Sequence, residues 1–303
     1  MLYWPAIEFF GIFTSLFLKN FGKKLNIIDV YKFNMILVTN DDGYNSVGIK
    51  QLYKNAAMID EAVMVAPDSM RSASGMTITF TRPMRIQSLK NMGINGYSIS
   101  GYPADTITIA QNVILPGRKI DLVASGINLG SNISLRSIYA SGTISAAMAA
   151  ALKGIKSMAF SMVTDKINAN EDSDFTKAGI YSRYIMEEYF QNGFPENADI
   201  LNINFPGTIT DDTEIKVVPM ATSVFHDYLV HNTDPNGKDY YWLGNEIEKQ
   251  EDKNTDYYVL MEENNISVTP LSIHGHSVTD YRPTEKFFDR VDDRILANEN
   301  GVA

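Results

Sequence analysis

Short apolar runs alternate with helical patterns along most of the chain, and their order predicts the fold. Continuous apolar runs of this length are typical of buried strands, and strand-like runs lie at residues 35–39, 62–66, 97–100, 120–125, 157–163 and 200–206. Helical signals lie at residues 47–58, 141–154 and 175–192 and after Pro103. Strands that alternate with helices predict βαβ units. We therefore expect an α/β fold with a Rossmann-like, doubly wound, mostly parallel sheet.

Three later or inserted segments depart from this alternation. Residues 76–89 alternate between apolar and polar positions, which predicts a hairpin or meander. Residues 226–246 contain a Pro-Asn-Gly turn between aromatic-rich arms, which predicts a projecting β-hairpin arm. Its residues Tyr240, Tyr241 and Trp242 either pack on the core or reach a second subunit, and we expect the subunit contact. Residues 244–257 are acidic and predict a solvated loop.

The ends of the chain differ from the central region. Residues 2–18 are apolar but include Pro5 and Glu8, and they are shorter than the roughly 20 residues that span a bilayer. We interpret residues 1–34 as an extension from an upstream start, with a weak anchor or a packed structural helix as the alternatives. The expected domain covers residues 35–275 with the hairpin arm at about 222–262, and a tail follows at 276–303. A membrane association is not expected, and we predict a cytoplasmic protein.

Composition narrows the function classes. The 303 residues carry a formal net charge of −10, which opposes binding to a nucleic-acid polymer. The chain has no cysteine, so disulfides, zinc–thiolate sites and thiol nucleophiles are excluded. A small phosphorylated molecule is still compatible with this charge, because the local charge of a cleft can oppose the global sign.

Polar side chains follow three of the predicted strands. Asp41 and Asp42 follow the first strand, Ser72 follows the second, and Asn128 follows the strand at 120–125. Right-handed crossovers bring the carboxyl ends of parallel strands to one edge of the sheet, where ligands bind. Two carboxylates, a hydroxyl and a carboxamide form an all-oxygen set that suits Mg²⁺ or Mn²⁺. We therefore expect one divalent metal ion per subunit, with Asp41 and Asp42 also in catalytic roles.

The net charge of this ligand set is compatible with binding a phosphate. Two aspartates balance a divalent cation, and Asn128 adds an oxygen without adding a charge. The start of the helix at Ser141 offers unpaired N–H groups and a favourable dipole for an anion. The candidate phosphate-binding residues are Asn40, Gly130, Asn132, Ser141, Gly142 and Thr143. The structural alternative is that the "NDDG" segment is a turn and the "SGT" segment a helix cap.

Several blocks resemble one known family. "ILVTNDDGYNSVGI", "VAPDSMRSASGMTIT", "GYPADTI", "DLVASGINLGSNI" and "SGTISAAMAAALKGI" are similar to the conserved blocks of the SurE survival-protein family of 5′/3′-nucleotidases. The similarity runs from Met35 to about residue 163 and returns in "LNINFP", "YYWLGNE" and "NNISVTPL". Residues 1–34 have no counterpart, and the tail after residue 271 diverges.

The resemblance implies a specific activity and assembly. It implies divalent-metal-dependent hydrolysis of nucleoside 5′-monophosphates, with 3′-monophosphates as further substrates, to nucleoside and phosphate. It implies that Asp41, Asp42, Ser72 and Asn128 are the metal ligands, since these positions match the family's motifs. It also implies a homodimer or homotetramer held through the hairpin arm.

Four other classes fit the sequence less well. A signalling receiver domain needs a phosphoacceptor aspartate after its third strand, where this chain has Ser125, Gly126 and Asn128. A haloacid-dehalogenase-type phosphatase needs two aspartates separated by one residue after the first strand. A nicotinamide-binding enzyme needs a Gly-x-Gly-x-x-Gly turn there. A metal-stabilised binding module without turnover is the non-enzymatic alternative. The sequence leaves open whether water or an aspartate is the nucleophile.

Overall fold

The computed structural model describes residues 34–164, 173–222, 224–250 and 252–276. The strands in these ranges are β1 Met35–Thr39, β2 Glu61–Pro67, β3 Ile86–Ser88, β4 Gly96–Ile99, β5 Leu122–Leu129, β6 Ser157–Met162, β7 Ile200–Phe205, β8 Ile215–Val217, β9 Phe225–Thr233, β10 Asp239–Ile247 and β11 Ile266–Leu271. The α-helices are α1 Val47–Ala56, α2 Pro103–Ile109, α3 Ser134–Ala140, α4 Gly142–Ala151 and α5 Thr176–Asn192. Short helical turns of other types lie at Lys90–Met92, Ala110–Ile114, Tyr258–Glu262 and Ile273–His276.

Within the described ranges, nine strands form one sheet in the order β3-β4-β2-β1-β5-β6-β7-β11-β8. The six adjacent strands in the middle of this order pair in parallel, namely β4, β2, β1, β5, β6 and β7. On either side of them, β3 runs antiparallel to β4, and β11 runs antiparallel to β7. The chain builds outward from β1 to β2 and β4, and then crosses to β5 on the other side of β1. This reversal creates a switch point between β1 and β5, where ligands of such sheets bind. The predicted doubly wound α/β fold is confirmed.

Helices cover both faces of the sheet because the strands are apolar on both sides. On one face, Ile49 and Leu52 of α1 and Met186 of α5 pack against the strands. On the other face, Ile107 of α2 and Ala150 of α4 pack against β1, β2 and β5. All five of these side chains are fully buried. The sheet is therefore sandwiched between two helical layers.

The hairpin predicted at residues 76–89 is wrong over most of its length. Only Ile86–Ser88 forms a strand, and it pairs antiparallel with β4. The preceding segment is instead tied to α2, because Thr79 donates its N–H and its hydroxyl to the Asp105 carboxylate at 3.1 and 2.7 Å. Phe80 is 86% exposed, so the alternation of apolar residues does not mark a buried face here.

The hairpin predicted at residues 226–246 has the expected pairing. Strands β9 and β10 pair antiparallel in register from Asp239 with Thr233 to Ile247 with Phe225. The side chains of Tyr241 and Trp242 are 60% and 67% exposed, so the interpretation in which they pack on the chain's own core is wrong. Projection as an arm and the subunit contact stay predictions.

The acidic segment 244–257 is not a solvated loop throughout. Strand β10 continues to Ile247, and Asp256 is fully buried. The Asp256 carboxylate accepts the backbone N–H groups of Ser134, Ala221 and Tyr257, each at 2.8 Å. The Asp256 carboxyl group therefore joins three chain segments. The hydrogen bonds that it accepts compensate for the cost of burying it.

The expected extension lies outside the described residues, as does the expected tail from residue 277 on. No helix in the described ranges is long and apolar enough to cross a membrane. The boundaries proposed for the domain, the arm and the tail stay predictions, as does the cytoplasmic location.

Candidate functional site

The candidate site lies at the carboxyl ends of β1, β2 and β5, beside the switch point. The backbone N–H of Arg71, from the loop after β2, donates to the carbonyl of Asp41 at 2.7 Å. The backbone N–H of Leu129, at the end of β5, donates to the Asp42 carboxylate at 3.1 Å. Two chain segments that are distant in sequence therefore converge on the two aspartates that follow β1.

Asp41 is held by the start of helix α4. Its side chain is buried, and the hydroxyl of Thr143 donates a short hydrogen bond to its Oδ1 atom. Burial raises the pKa of Asp41, while the hydroxyl and the nearby backbone N–H groups of Thr143 and Gly142 act in the opposite direction. A Cβ on Gly142 would lie 2.6 Å from the Asp41 Cβ. Only glycine at this position lets the helix approach the carboxylate so closely.

Asp42 also has a raised pKa. Burial, with repulsion from Asp41 as the second cause, raises its pKa to about 7, and the Leu129 N–H opposes this shift. Neither aspartate has an ion pair with a lysine, arginine or histidine among the described residues. Two adjacent carboxylates without a cationic partner are an arrangement that a bound cation stabilises.

Ser72 and Asn128 are the sequence neighbours of Arg71 and Leu129, whose backbone N–H groups bind the two aspartates. Ser72 is exposed and directly follows Arg71, whose N–H contacts Asp41. Asn128 lies within β5, which runs four residues beyond the predicted end of the strand and has a register shift between Ser125 and Asn128. The Nδ2 atom of Asn128 donates to the Gly130 carbonyl at 2.7 Å. The carboxamide oxygen is the end of this side chain that is available to a cation.

The donor set fits a hard divalent cation. No group of three or more histidine, cysteine and acidic side chains suited to a metal is found in the part of the chain that the structure describes. The candidate set has two carboxylates, a hydroxyl and a carboxamide oxygen, and all of these are oxygen ligands. Mg²⁺ and Mn²⁺ accept such ligands, and two negative charges on Asp41 and Asp42 would balance a divalent ion.

Two of the candidate phosphate-binding residues serve the local loops. The Nδ2 atom of Asn40 donates to the Gly43 carbonyl and to the Ser46 hydroxyl, each at 3.0 Å, and its Oδ1 accepts the Gly43 N–H at 3.2 Å. The N–H of Gly130 donates to the Met162 carbonyl at 2.8 Å. These bonds shape the loops around the site, and a role in binding phosphate stays a prediction.

The other four candidates are also engaged within the protein. The Ser141 hydroxyl caps helix α4 by accepting the Ile144 N–H at 3.2 Å, as predicted from its N-cap position. The Thr143 hydroxyl binds Asp41, to which the Gly142 amide is also directed. Asn132 donates its side chain to the Ser161 hydroxyl at 2.8 Å. The anion that the start of α4 contacts in this structure is Asp41, and the phosphate-binding role stays a prediction.

Sequence reasoning missed a cluster of buried polar side chains that binds Asn132. Asn202 and Asn204 of β7 and Ser161 of β6 are fully buried, and all three bind Asn132. The sequence carries one signal for them. In "LNINFP" two asparagines stand two residues apart in a buried strand, so they lie on the same face.

Comparison with known proteins places this architecture in a family. The family model described as Survival protein SurE matches residues 36–227. A protein of Picrophilus torridus named 5′-nucleotidase SurE is 46% identical over 262 residues, which cover 86% of this chain and 99% of that protein. A protein of Thermofilum pendens with the same name is 38% identical over 242 residues, which cover 79% and 91%.

A solved structure agrees with the sequence comparisons. The crystal structure of the SurE protein from Aquifex aeolicus matches with a TM-score of 0.69 and 32% identity, covering 83% of this chain and 97% of that chain. The matched region contains the β1, β2 and β5 ends that form the site. This chain is a member of the SurE family.

Proposed function

We propose that this protein is a 5′-nucleotidase, a divalent-metal-dependent phosphomonoesterase that hydrolyses nucleoside 5′-monophosphates to nucleoside and phosphate. The observation that carries the proposal is the pair of adjacent carboxylates at the end of β1, which are packed against the segments that carry Ser72 and Asn128. The names of the relatives in Picrophilus torridus and Thermofilum pendens support the reaction class.

The chain's own residues would position the cation. Asp41 and Asp42 supply two negative charges, and Asn128 and Ser72 supply neutral oxygens. The Thr143 hydroxyl and the Leu129 N–H orient the two carboxylates through hydrogen bonds. When bound, a divalent ion supplies Lewis-acid polarisation of the phosphoryl oxygens.

The charge balance favours a phosphate dianion as the substrate group. The two carboxylates offset the charge of the ion, so the site is close to neutral before substrate binds. A third carboxylate would make the site negative and repel the dianion. The neutral carboxamide of Asn128 is therefore the residue that suits this site to a phosphomonoester.

Phosphate release from AMP and GMP tests the proposal directly. We expect hydrolysis with Mg²⁺ or Mn²⁺ and loss of hydrolysis with EDTA, restored by added metal. 3′-AMP in a parallel assay tests the further substrates. A protein that binds Mn²⁺ but releases no phosphate from any nucleoside monophosphate is a metal-stabilised binding module, and the proposed function is then wrong.

The nucleophile is tested by isotope labelling. We propose that water attacks phosphorus directly, with the carboxylates committed to the cation. Direct attack forms no covalent intermediate, so a single turnover of ³²P-labelled AMP quenched in acid should leave no ³²P on the protein. Protein-bound ³²P that hydroxylamine releases would show that an aspartate attacks and forms an acyl phosphate.

A further inference from the structure

Asn132, at the turn between β5 and α3, is bound by side chains from two neighbouring strands. Its backbone N–H donates to the Asn204 Oδ1 atom at 2.7 Å, and its carbonyl accepts the Nδ2 atoms of Asn202 at 2.9 Å and of Asn204 at 3.4 Å. The carboxamide of Asn204 thus pairs with both backbone groups of one residue, as a neighbouring strand would. Asn202 and Asn204 are fully buried, so no solvent competes with these bonds.

Three further hydrogen bonds hold the residues that lie between Asn132 and the site. The N–H of Gly130 is fixed by the Met162 carbonyl at 2.8 Å. The carbonyl of Gly130 accepts the Nδ2 atom of Asn128 at 2.7 Å, which orients its carboxamide. The N–H of Leu129 binds Asp42. The segment from Asn128 to Asn132 is therefore hydrogen-bonded both to β6 and β7 and to Asp42 of the site.

We propose that Asn204 is a positioning residue for the cation site, acting through Asn132 on the carboxamide of Asn128 and the N–H of Leu129. The inference rests on the proposed function, because it assigns Asn204 to the same cation site. Asn204 touches neither the substrate nor the cation. Its effect is to fix the position of the neutral oxygen of Asn128 and the orientation of the Asp42 carboxylate, as outer-shell partners of metal ligands do.

Asn204→Leu removes both bonds to Asn132 at nearly constant side-chain size. We expect the Mn²⁺ affinity, measured by calorimetry without substrate, to fall by about tenfold, as is usual for loss of an outer-shell partner. The kcat for AMP at saturating Mn²⁺ should fall as well, because the ligands are misplaced even when the ion is bound. Thermal unfolding of the metal-free protein is measured in parallel.

Asn265→Leu is the matched control. Asn265 is also buried, and its Oδ1 also accepts a backbone N–H, that of Glu214 at 2.8 Å, which is outside the segment from Asn128 to Asn132. We expect this variant to lose stability while its Mn²⁺ affinity stays at the wild-type value. If Asn204→Leu behaves like Asn265→Leu, with lower stability and unchanged Mn²⁺ affinity, Asn204 is structural only and the inference is overturned.

Asn202→Leu keeps the test decisive if Asn204→Leu does not fold. The Oδ1 atom of Asn202 is buried without a hydrogen-bond partner, so its replacement removes an unsatisfied group as well as one bond to Asn132. We expect a smaller loss of Mn²⁺ affinity, of about threefold, if outer-shell positioning operates. An unchanged affinity in this variant overturns the inference, whereas a wild-type protein that neither binds Mn²⁺ nor hydrolyses AMP overturns the proposed function itself.

Discussion

In most proteins apolar side chains are buried and polar side chains are exposed. The carboxyl edge of the sheet and the β9–β10 hairpin depart from this pattern in opposite directions. At the sheet edge, polar groups such as Asp41, Thr143 and Asn204 are buried. On the hairpin, large apolar side chains such as Leu229 and Trp242 are 65% and 67% exposed. Buried polar groups and exposed apolar patches are the two departures that indicate function.

The two regions differ in what would complete them. Asp41 is buried and Asp42 is half-buried, and both have hydrogen-bond donors but no positive partner among the described residues. The complement that we propose for them is a small cation. The hairpin has its backbone paired and one end tied by the 2.6 Å ion pair between Arg136 and Asp227. The complement that we expect for it is an apolar surface, which a second copy of the chain would supply in the homodimer or homotetramer predicted from the sequence.

Replacing Asp42 tests the sheet edge most strongly. Asp42→Asn removes one charged ligand, so we expect Mn²⁺ affinity to fall by more than the roughly 10- to 100-fold that loss of an outer-shell partner costs. Nucleotide hydrolysis should become undetectable at moderate metal concentration. Calorimetry and phosphate release measure the two effects, and the exposed Asp212→Asn is the control that should retain both.

The same variant should be more stable than the wild type when metal is absent. At pH 8 the wild-type protein bears the repulsion between Asp41 and Asp42, which Asp42→Asn removes. Equal or lower thermal stability of the metal-free variant at pH 8 would contradict the raised pKa of Asp42.

Asn128→Asp separates cation binding from catalysis. Two unit charges about 4 Å apart interact by roughly 4 kcal/mol at an effective dielectric constant of 20, so an added carboxylate changes the site substantially. We expect tighter Mn²⁺ binding and slower AMP hydrolysis at saturating metal, because the added charge repels the phosphate. Asn112→Asp, in the helical turn Ala110–Ile114 that follows helix α2, is the control. Wild-type values for both quantities in Asn128→Asp would show that Asn128 is not a ligand.

The pH dependence of metal stabilisation follows from Asp42. Its pKa is raised from 3.8 to about 7 in the fold. The folded metal-free protein therefore holds a proton that the unfolded chain has released, and the stability from this group is lost as pH rises towards 7. A bound cation replaces that proton. We expect the rise in melting temperature with Mn²⁺ to be larger at pH 8 than at pH 6, and a rise independent of pH would argue against binding at Asp42.

Polar substitution of the hairpin tests the second region. Replacing Tyr240, Tyr241 and Trp242 together by serine should lower the oligomer mass in light scattering, because the covered apolar area provides about 25 cal/mol per Å². The exposed Tyr184→Ser on α5 is the control for loss of a surface aromatic. An unchanged mass in the triple variant would show that these side chains do not hold subunits together.

Removal of the extension should have the smallest effect. A protein that starts at Met35 keeps both the sheet edge and the hairpin, so we expect it to fold and to retain the turnover of the full chain. Circular dichroism and AMP hydrolysis measure this. An insoluble or inactive truncated protein would show that residues 1–34 are part of the domain.

Prediction from sequence was reliable where the signal is local. The strand at 35–39 and the helix from 141 are confirmed, because a run buried on both faces and a capped helix leave their pattern in adjacent residues. Prediction failed at residues 76–89, where apolar and polar residues alternate in the pattern that normally indicates a half-buried strand. There the polar groups of Thr79 bind Asp105, 26 residues away, and the strand does not form.

The sequence by itself determined the fold class and the place of the two aspartates at the end of β1, and it predicted that Asn128 adds a neutral oxygen beside them for a cation and a phosphate. Only the tertiary structure decided which groups hold these residues. The Thr143 hydroxyl reaches Asp41 across 102 positions, Asn204 reaches Asn132 across 72, and Asp256 reaches Ser134 across 122. Hydrogen bonds between such distant residues form only when the sheet order brings their strands and helices together, and no local pattern encodes that order.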